Sequence, residues 1–222
     1  MPGPPADITG PDSSPGPAGS SSGPAIVSGP PAGHWPAFNR EELKRAHSGD
    51  GEALGRFFDH YFDRIFSVVH RFVGSVDAAQ DITQDIFLKV RRHISRLDIE
   101  KDPAPWLYTV TVNACRDYRR SAWWRMSRQS VPLDHDPDTP ELSSNATNPE
   151  QALVVAEEER RLQAAIRRLP PDLRMSVLLH DFEGLSHEHI ARITGTSHAA
   201  ARKRHSRALR ALADLLGEGA TP

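Results

Sequence analysis

Between Phe57 and Val73 the chain carries two apolar stripes side by side. Phe57, Tyr61, Ile65, Val68 and Phe72 form one, and Phe58, Phe62, Phe66, Val69 and Val73 form the other. Spacings of three and four residues gather side chains on one face of an α-helix. Two adjacent stripes require a helix buried over a wide face, so other elements must cover it. Its neighbours in sequence repeat the same period. No segment alternates in the period-two manner of a half-buried strand, and the expected fold class is therefore all-α, built from two small helical domains.

The boundaries follow from capping chemistry. Asn39 is placed to cap a first helix, with Glu42 at the third position to complete a capping box. Asp50 can cap the doubly striped helix, and Gly74-Ser75 stop it. A third helix runs from about Asp77 to Leu97, with Ile82, Ile86, Val90, Ile94 and Leu97 inward. Pro103 and Pro105 introduce a fourth, to Arg120. Residues 121–152 break the pattern with Pro132, Pro137 and Pro140 among Asp134, Asp136, Asp138 and Glu141, which reads as a flexible acidic linker. A second helical unit spans 153–216, and 217–222 form a short tail. Residues 1–38 are rich in Pro, Gly, Ser and Ala and are expected to be disordered, because they offer too little apolar surface to offset the entropy of ordering.

The second unit holds the clearest functional signal. Ser186 opens a short helix, Gly195-Thr196 make a turn, and Ser197 opens another helix. From Glu188 to Asp214 no carboxylate intervenes, while Arg192, Arg202, Lys203, Arg204, Arg207 and Arg210 supply six positive charges. A basic helix after a tight turn is the arrangement that enters a DNA major groove. The whole chain has a net charge of -2. The basic patch is therefore a local property and not a bulk one.

Composition excludes other classes. The single cysteine, Cys115, can form no internal disulfide and no Cys-rich zinc site, and its place on an apolar helix side reads as core packing. No apolar run reaches the roughly 18 residues of a membrane span, and a cytoplasmic location is expected. His187-Glu188-His189-Ile190-Ala191 begins like a zinc-protease helix but has Ala191 where the second ligand histidine belongs. No phosphate loop, nucleophile elbow or triad is visible. The chain is expected to be no enzyme and to hold no cofactor and no metal.

In order, the elements resemble an extracytoplasmic-function sigma factor of bacterial RNA polymerase. Three stretches carry the resemblance: DAAQDITQDIFLKVRRHI (Asp77 to Ile94), PWLYTVTVNACRDYRR (Pro105 to Arg120), and LPPDLRMSVLLHDFEGLSHEHIARITGTSHAAARKRHSRAL (Leu169 to Leu209). They are similar to the family's core-binding helix, its −10 helix and its −35 domain. The chain departs from the family pattern at His189, where a glutamate usually completes the cap, and at Ala201 and His205, where apolar residues are usual.

The resemblance assigns roles. Asp81, Gln84 and Asp85 form an acidic ridge on the third helix, for the clamp coiled coil of the polymerase largest subunit. Read without the resemblance, the same ridge is a solvated helix face. The flap of the second-largest subunit is the other implied polymerase contact. Asn113, Arg116, Arg119 and Arg120, with Trp106 as a stacking surface or a core residue, are assigned to the opened −10 element. Trp123 and Trp124 stay open between packing and DNA. Ser197, His198, Arg202, Lys203 and His205 fall in the first turns of the recognition helix, where side chains reach base edges. Arg204, Arg207 and Arg210 suit phosphates. Promoter DNA, core polymerase and an anti-sigma factor wedged between the domains are the implied partners. The competing reading is a stand-alone helix-turn-helix transcriptional regulator, which leaves the N-terminal helical domain unexplained.

Overall fold

The computed structural model describes residues 38–121 and 149–218. The expected N-terminal tail up to residue 37, most of the expected linker, Trp123, Trp124 and residues 219–222 lie outside the described residues. Among the described residues every regular element is helical: α1 (Arg40–His47), α2 (Gly51–Val73), α3 (Val76–His93), α4 (Ala104–Arg120), α5 (Pro149–Arg168), α6 (Pro171–Val177), α7 (His187–Thr194) and α8 (His198–Glu218). A 3₁₀ turn (Ile94–Arg96) follows α3, and a π-helical turn (Leu178–Phe182) extends α6.

The caps form largely as their chemistry dictates. The Asn39 side chain accepts from the backbone N–H groups of Glu41 and Glu42, at 2.9 and 3.2 Å. Glu42 does not return the bond as a capping box would. Its carboxylate pairs instead with Arg56 of α2 at 2.7 Å and with Arg45 at 3.5 Å. Asp50 caps α2 by accepting from Glu52 and Ala53, and these bonds, with the Arg45 guanidinium at 2.6 Å, hold its carboxyl below the ordinary range. At the other end of α2, Gly74 adopts φ 82° and its N–H reaches the His70 carbonyl at 2.8 Å. A side chain there would be strained in the left-handed region, and its Cβ would fall 2.7 Å from Cδ of Arg167.

Helix α2 organises the N-terminal half, packing against α1, α3 and α4. Its first stripe is buried in full, with Phe57, Tyr61, Ile65, Val68 and Phe72 at 2% exposure or less. Burying each such side chain contributes about 1.5–3 kcal/mol. The second stripe is only partly covered, and Phe62 remains 43% exposed. Phe38, counted with the tail by composition, packs edge-on against Phe57 with ring centroids 5.2 Å apart. Helix α3 ends four residues earlier than its apolar period suggests, because its last turn tightens to 3₁₀ while Ile94 stays buried.

In the C-terminal half, α8 packs on α5, α6 and α7. The two halves are also packed on each other, through α4 on α7 and through α2 on α5, α6 and the π-helical turn. Their buried apolar residues form a single cluster from Leu43 to Leu212. The two small helical domains thus lie against each other along a shared seam.

Candidate nucleic-acid interface

Helix α3 buries Ala78, Ala79, Ile82, Thr83, Ile86, Phe87 and Val90 against the core. That leaves Asp81, Gln84 and Asp85 together on its outer face, all exposed. Asp81 and Asp85 lie one turn apart, which costs an isolated helix about 0.2–0.5 kcal/mol. Leu88, one turn beyond Gln84, adds a 40% exposed apolar side chain to the same face. Sequence reasoning missed it, although an apolar residue four positions after Gln84 on a polar face was a readable signal.

Helix α4 starts where Asp102 accepts from the Ala104 N–H at 2.9 Å. It buries Leu107, Tyr108, Thr111, Val112, Ala114 and Cys115. The Cys115 thiol is fully enclosed, and burial pushes its pKa up to about 12. Asn113 and Arg120 are exposed, and Arg120 pairs with Asp117 at 3.4 Å. Trp106 is half-buried and packs against the core. Arg116 and Arg119 are turned toward the C-terminal half, and Arg116 donates to the Thr194 carbonyl of α7 at 3.2 Å.

The helix-turn-helix forms from α7 and α8. The Ser186 hydroxyl accepts from the His189 N–H at 3.2 Å. The His189 ring nitrogen lies 3.1 Å from the same hydroxyl and not on the Ser186 backbone N–H, so the reciprocal half of a capping box is not formed. Gly195 turns the chain at φ 68°. The Ser197 hydroxyl then accepts from the Ala200 N–H at 3.2 Å and caps α8. On α8, His198, Arg202, Lys203, Arg207 and Arg210 are exposed, as is Ser197 before them.

Two residues of this helix depart from the expected surface. His205, placed by sequence among the base-reading residues, is 9% exposed and faces inward. The physical reason is register: Ala201, His205, Ala208 and Leu212 recur at helical spacing and form the packed side of α8. Arg204 is half-buried and lines a cleft between the halves together with Arg116 and Arg119. Arginines assigned to two different DNA elements thus meet across one seam. His205 contacts His187 and Asp181, and His180 joins them, a grouping that no motif in the sequence announced. Burial, followed by the neighbouring His180, His205, His198 and Arg202, holds the His187 pKa below its ordinary value.

The seam itself is polar at its centre. Tyr108 of α4 donates its hydroxyl to the buried Glu183 carboxylate, and Arg174 of α6 donates to the Phe72 carbonyl of α2 and to the Arg167 carbonyl. The Arg71 guanidinium lies over the Phe182 ring, 4.8 Å from its centroid. Burial raises the Glu183 pKa, and the Tyr108 hydrogen bond, Arg64 and Arg71 offset part of the rise.

Both halves of the chain are similar to known proteins. Residues 57–125 match Sigma-70 region 2, and residues 159–212 match Sigma-70 region 4. The ECF RNA polymerase sigma factor BldN of Streptomyces coelicolor is 31% identical over 181 residues, covering 81% of this chain and 66% of its own length. The chain belongs to the extracytoplasmic-function sigma factors. This sigma factor is also 27% identical to the RNA polymerase sigma-H factor of Pseudomonas aeruginosa, over 78% of its own chain and 91% of that relative. Its fold is similar to that of the sigma factor RpoE of Bartonella quintana, solved in complex with the anti-sigma factor NepR. The TM-score is 0.58 at 21% identity, covering 73% of this chain and 96% of that one. No helix among its described residues is long and apolar enough to cross a membrane.

Proposed function

We propose that this sigma factor binds core RNA polymerase in the cytoplasm through the α3 ridge and directs it to promoters read by α8 and opened by α4. The observation that carries the reading is the separation of charge between exposed faces. Asp81, Gln84 and Asp85 present an acidic face with Leu88 at its end, while α8 presents Arg202, Lys203, Arg207 and Arg210 with no carboxylate interleaved. An acidic, partly apolar ridge suits a basic protein surface. A cationic helix suits duplex DNA, where phosphate contacts supply affinity and base-edge contacts supply selectivity. Asn113 and Arg120 of α4 are exposed for the −10 element, with Arg116 and Arg119 beside them at the seam.

Control by an anti-sigma factor fits the packed seam. With Arg116 bonded to Thr194 and Arg204 in the cleft, full use of the DNA-reading residues requires the halves to part. An anti-sigma factor wedged into the parted seam would cover Arg116, Arg119 and Arg204 and keep the factor inactive.

The test is run-off transcription with purified core polymerase on a library of promoter-like DNA, with and without this chain. New sequence-selective transcripts are expected. DNA binding without any association with core would make a stand-alone regulator the better reading. Asp81→Lys with Asp85→Lys is expected to abolish core binding while helical circular dichroism is kept. Arg202→Ala with Lys203→Ala is expected to weaken −35 binding at moderate salt, by about 1–3 kcal/mol for each side chain that reads a base edge. Unchanged affinity in either pair of variants removes the corresponding role.

A further inference from the structure

Three imidazoles converge behind the recognition helix. His180 comes from the π-helical turn, His187 is the first residue of α7, and His205 lies in the middle of α8. One ring nitrogen from each lies within 4.8 Å of the others. His187 Nε2 is 3.1 Å from His205 Nδ1, and the His180 ring is 4.2 Å from both other rings, centroid to centroid. We propose that His180, His187 and His205 form a binding site for a divalent transition-metal ion of the zinc class, clasping the helix-turn-helix to the turn beneath it.

Four features of the geometry support the site. A tetrahedral ion with metal–nitrogen bonds of about 2.0–2.1 Å sets its ligand nitrogens about 3.3 Å apart. The His187–His205 pair already stands near that spacing, and the wider distances close by rotation of the half-buried rings. The Nδ1 of His180 is buried with no hydrogen-bond partner. Such a polar atom is destabilising unless a ligand satisfies it. His205 is aimed by a carboxylate, since its Nε2 lies 2.8 Å from Asp181 Oδ2. A carboxylate on one ring nitrogen fixes the tautomer and turns the other nitrogen toward a metal. His187 and His205 also line an open surface depression, which provides an entry path and room for water as a fourth ligand.

The donor set names the class of ion. Three neutral nitrogens without thiolate suit zinc, cobalt, nickel or copper, and not magnesium or calcium, which take oxygen ligands. The π-helical turn contributes His180 as ligand and Asp181 as its supporting carboxylate. Occupancy would tie α8 to α7 and to the end of α6, and so would stiffen the half of the molecule that carries the basic helix. The site rests on none of the roles proposed for DNA or polymerase.

The test uses the full-length chain, stripped with a chelator and titrated with Co²⁺ as a spectroscopic probe and then with Zn²⁺. The expected result is one equivalent of Co²⁺ with visible bands of tetrahedral nitrogen ligation, displaced by Zn²⁺, and a rise in Tm on binding. His180→Gln and His187→Gln, at half-exposed positions that spare the core, are expected to weaken binding at least about tenfold, and Asp181→Asn by about 10–100-fold. His198→Gln, outside the cluster, should leave affinity unchanged. Helical circular dichroism of each variant separates lost ligation from lost fold. Affinity weaker than about 1 mM for both ions, or affinity unchanged in folded His180→Gln and His187→Gln, overturns the site and leaves a hydrogen-bonded cluster.

Discussion

Glu183 shows how one buried side chain links the seam to solution conditions. Burial raises its pKa above the ordinary carboxylate value of 4.5, so the folded state holds its proton more tightly than the unfolded chain. The stability this contributes is full below the unfolded value and is lost as pH rises through the folded pKa. Thermal melts between pH 4.5 and 7 should therefore show the wild type losing stability relative to Glu183→Gln as pH rises. A constant difference between the two proteins across that range would remove Glu183 as the source. Cys115 is the opposite case, a group that the fold silences. Its enclosed thiol with a pKa near 12 has the inert character expected of a cysteine on an apolar helix side.

Among the elements, α7 and α8 depend most on local chemistry. Both start on a serine cap, and the turn between them needs Gly195 at φ 68° and ψ 40°. A Cβ at Gly195 would meet no atom within 4 Å, so replacement adds backbone strain without a clash. Gly195→Ala is expected to destabilise the C-terminal half by about 1–2 kcal/mol, the ordinary cost of a left-handed L-residue, measured as a fall in Tm. No change in Tm would mean that the turn relaxes at no cost. Much of this was legible in advance: Ser186, Gly195 and Ser197 announce the motif by type and spacing alone. The face that each α8 residue occupies was less legible. His205 was read as a base contact because it falls in the first turns of the recognition helix, but the helical period of Ala201, Ala208 and Leu212 carries it inward.

For the whole molecule, the decisive feature is the seam. Arg174 is buried, bonds to carbonyls of Phe72, Arg167 and Leu169, and lies over the Phe72 ring at 5.5 Å. Arg174→Met keeps the apolar stem and deletes these donors. It removes three charged hydrogen bonds and is expected to lower stability by about 4–5 kcal/mol, at about 1.5 kcal/mol each. It should also let the halves separate, read as a larger radius of gyration in small-angle scattering and faster proteolytic cleavage between them. An unchanged radius with lowered stability would show that the other contacts of the seam hold the halves together without Arg174.

The sequence by itself determined the helices, their caps, the helix-turn-helix and the two family-matching regions, because helical period and capping act over three or four residues. It also determined which face of α3 is acidic and that α8 is basic, since charge is a property of residue type. Only the tertiary structure decided that the two halves share one apolar cluster, that Arg116 and Arg204 line one cleft, and that His180, His187 and His205 meet. These pairings join residues 7 to 88 positions apart in the chain. They depend on how whole helices pack, which no local spacing encodes.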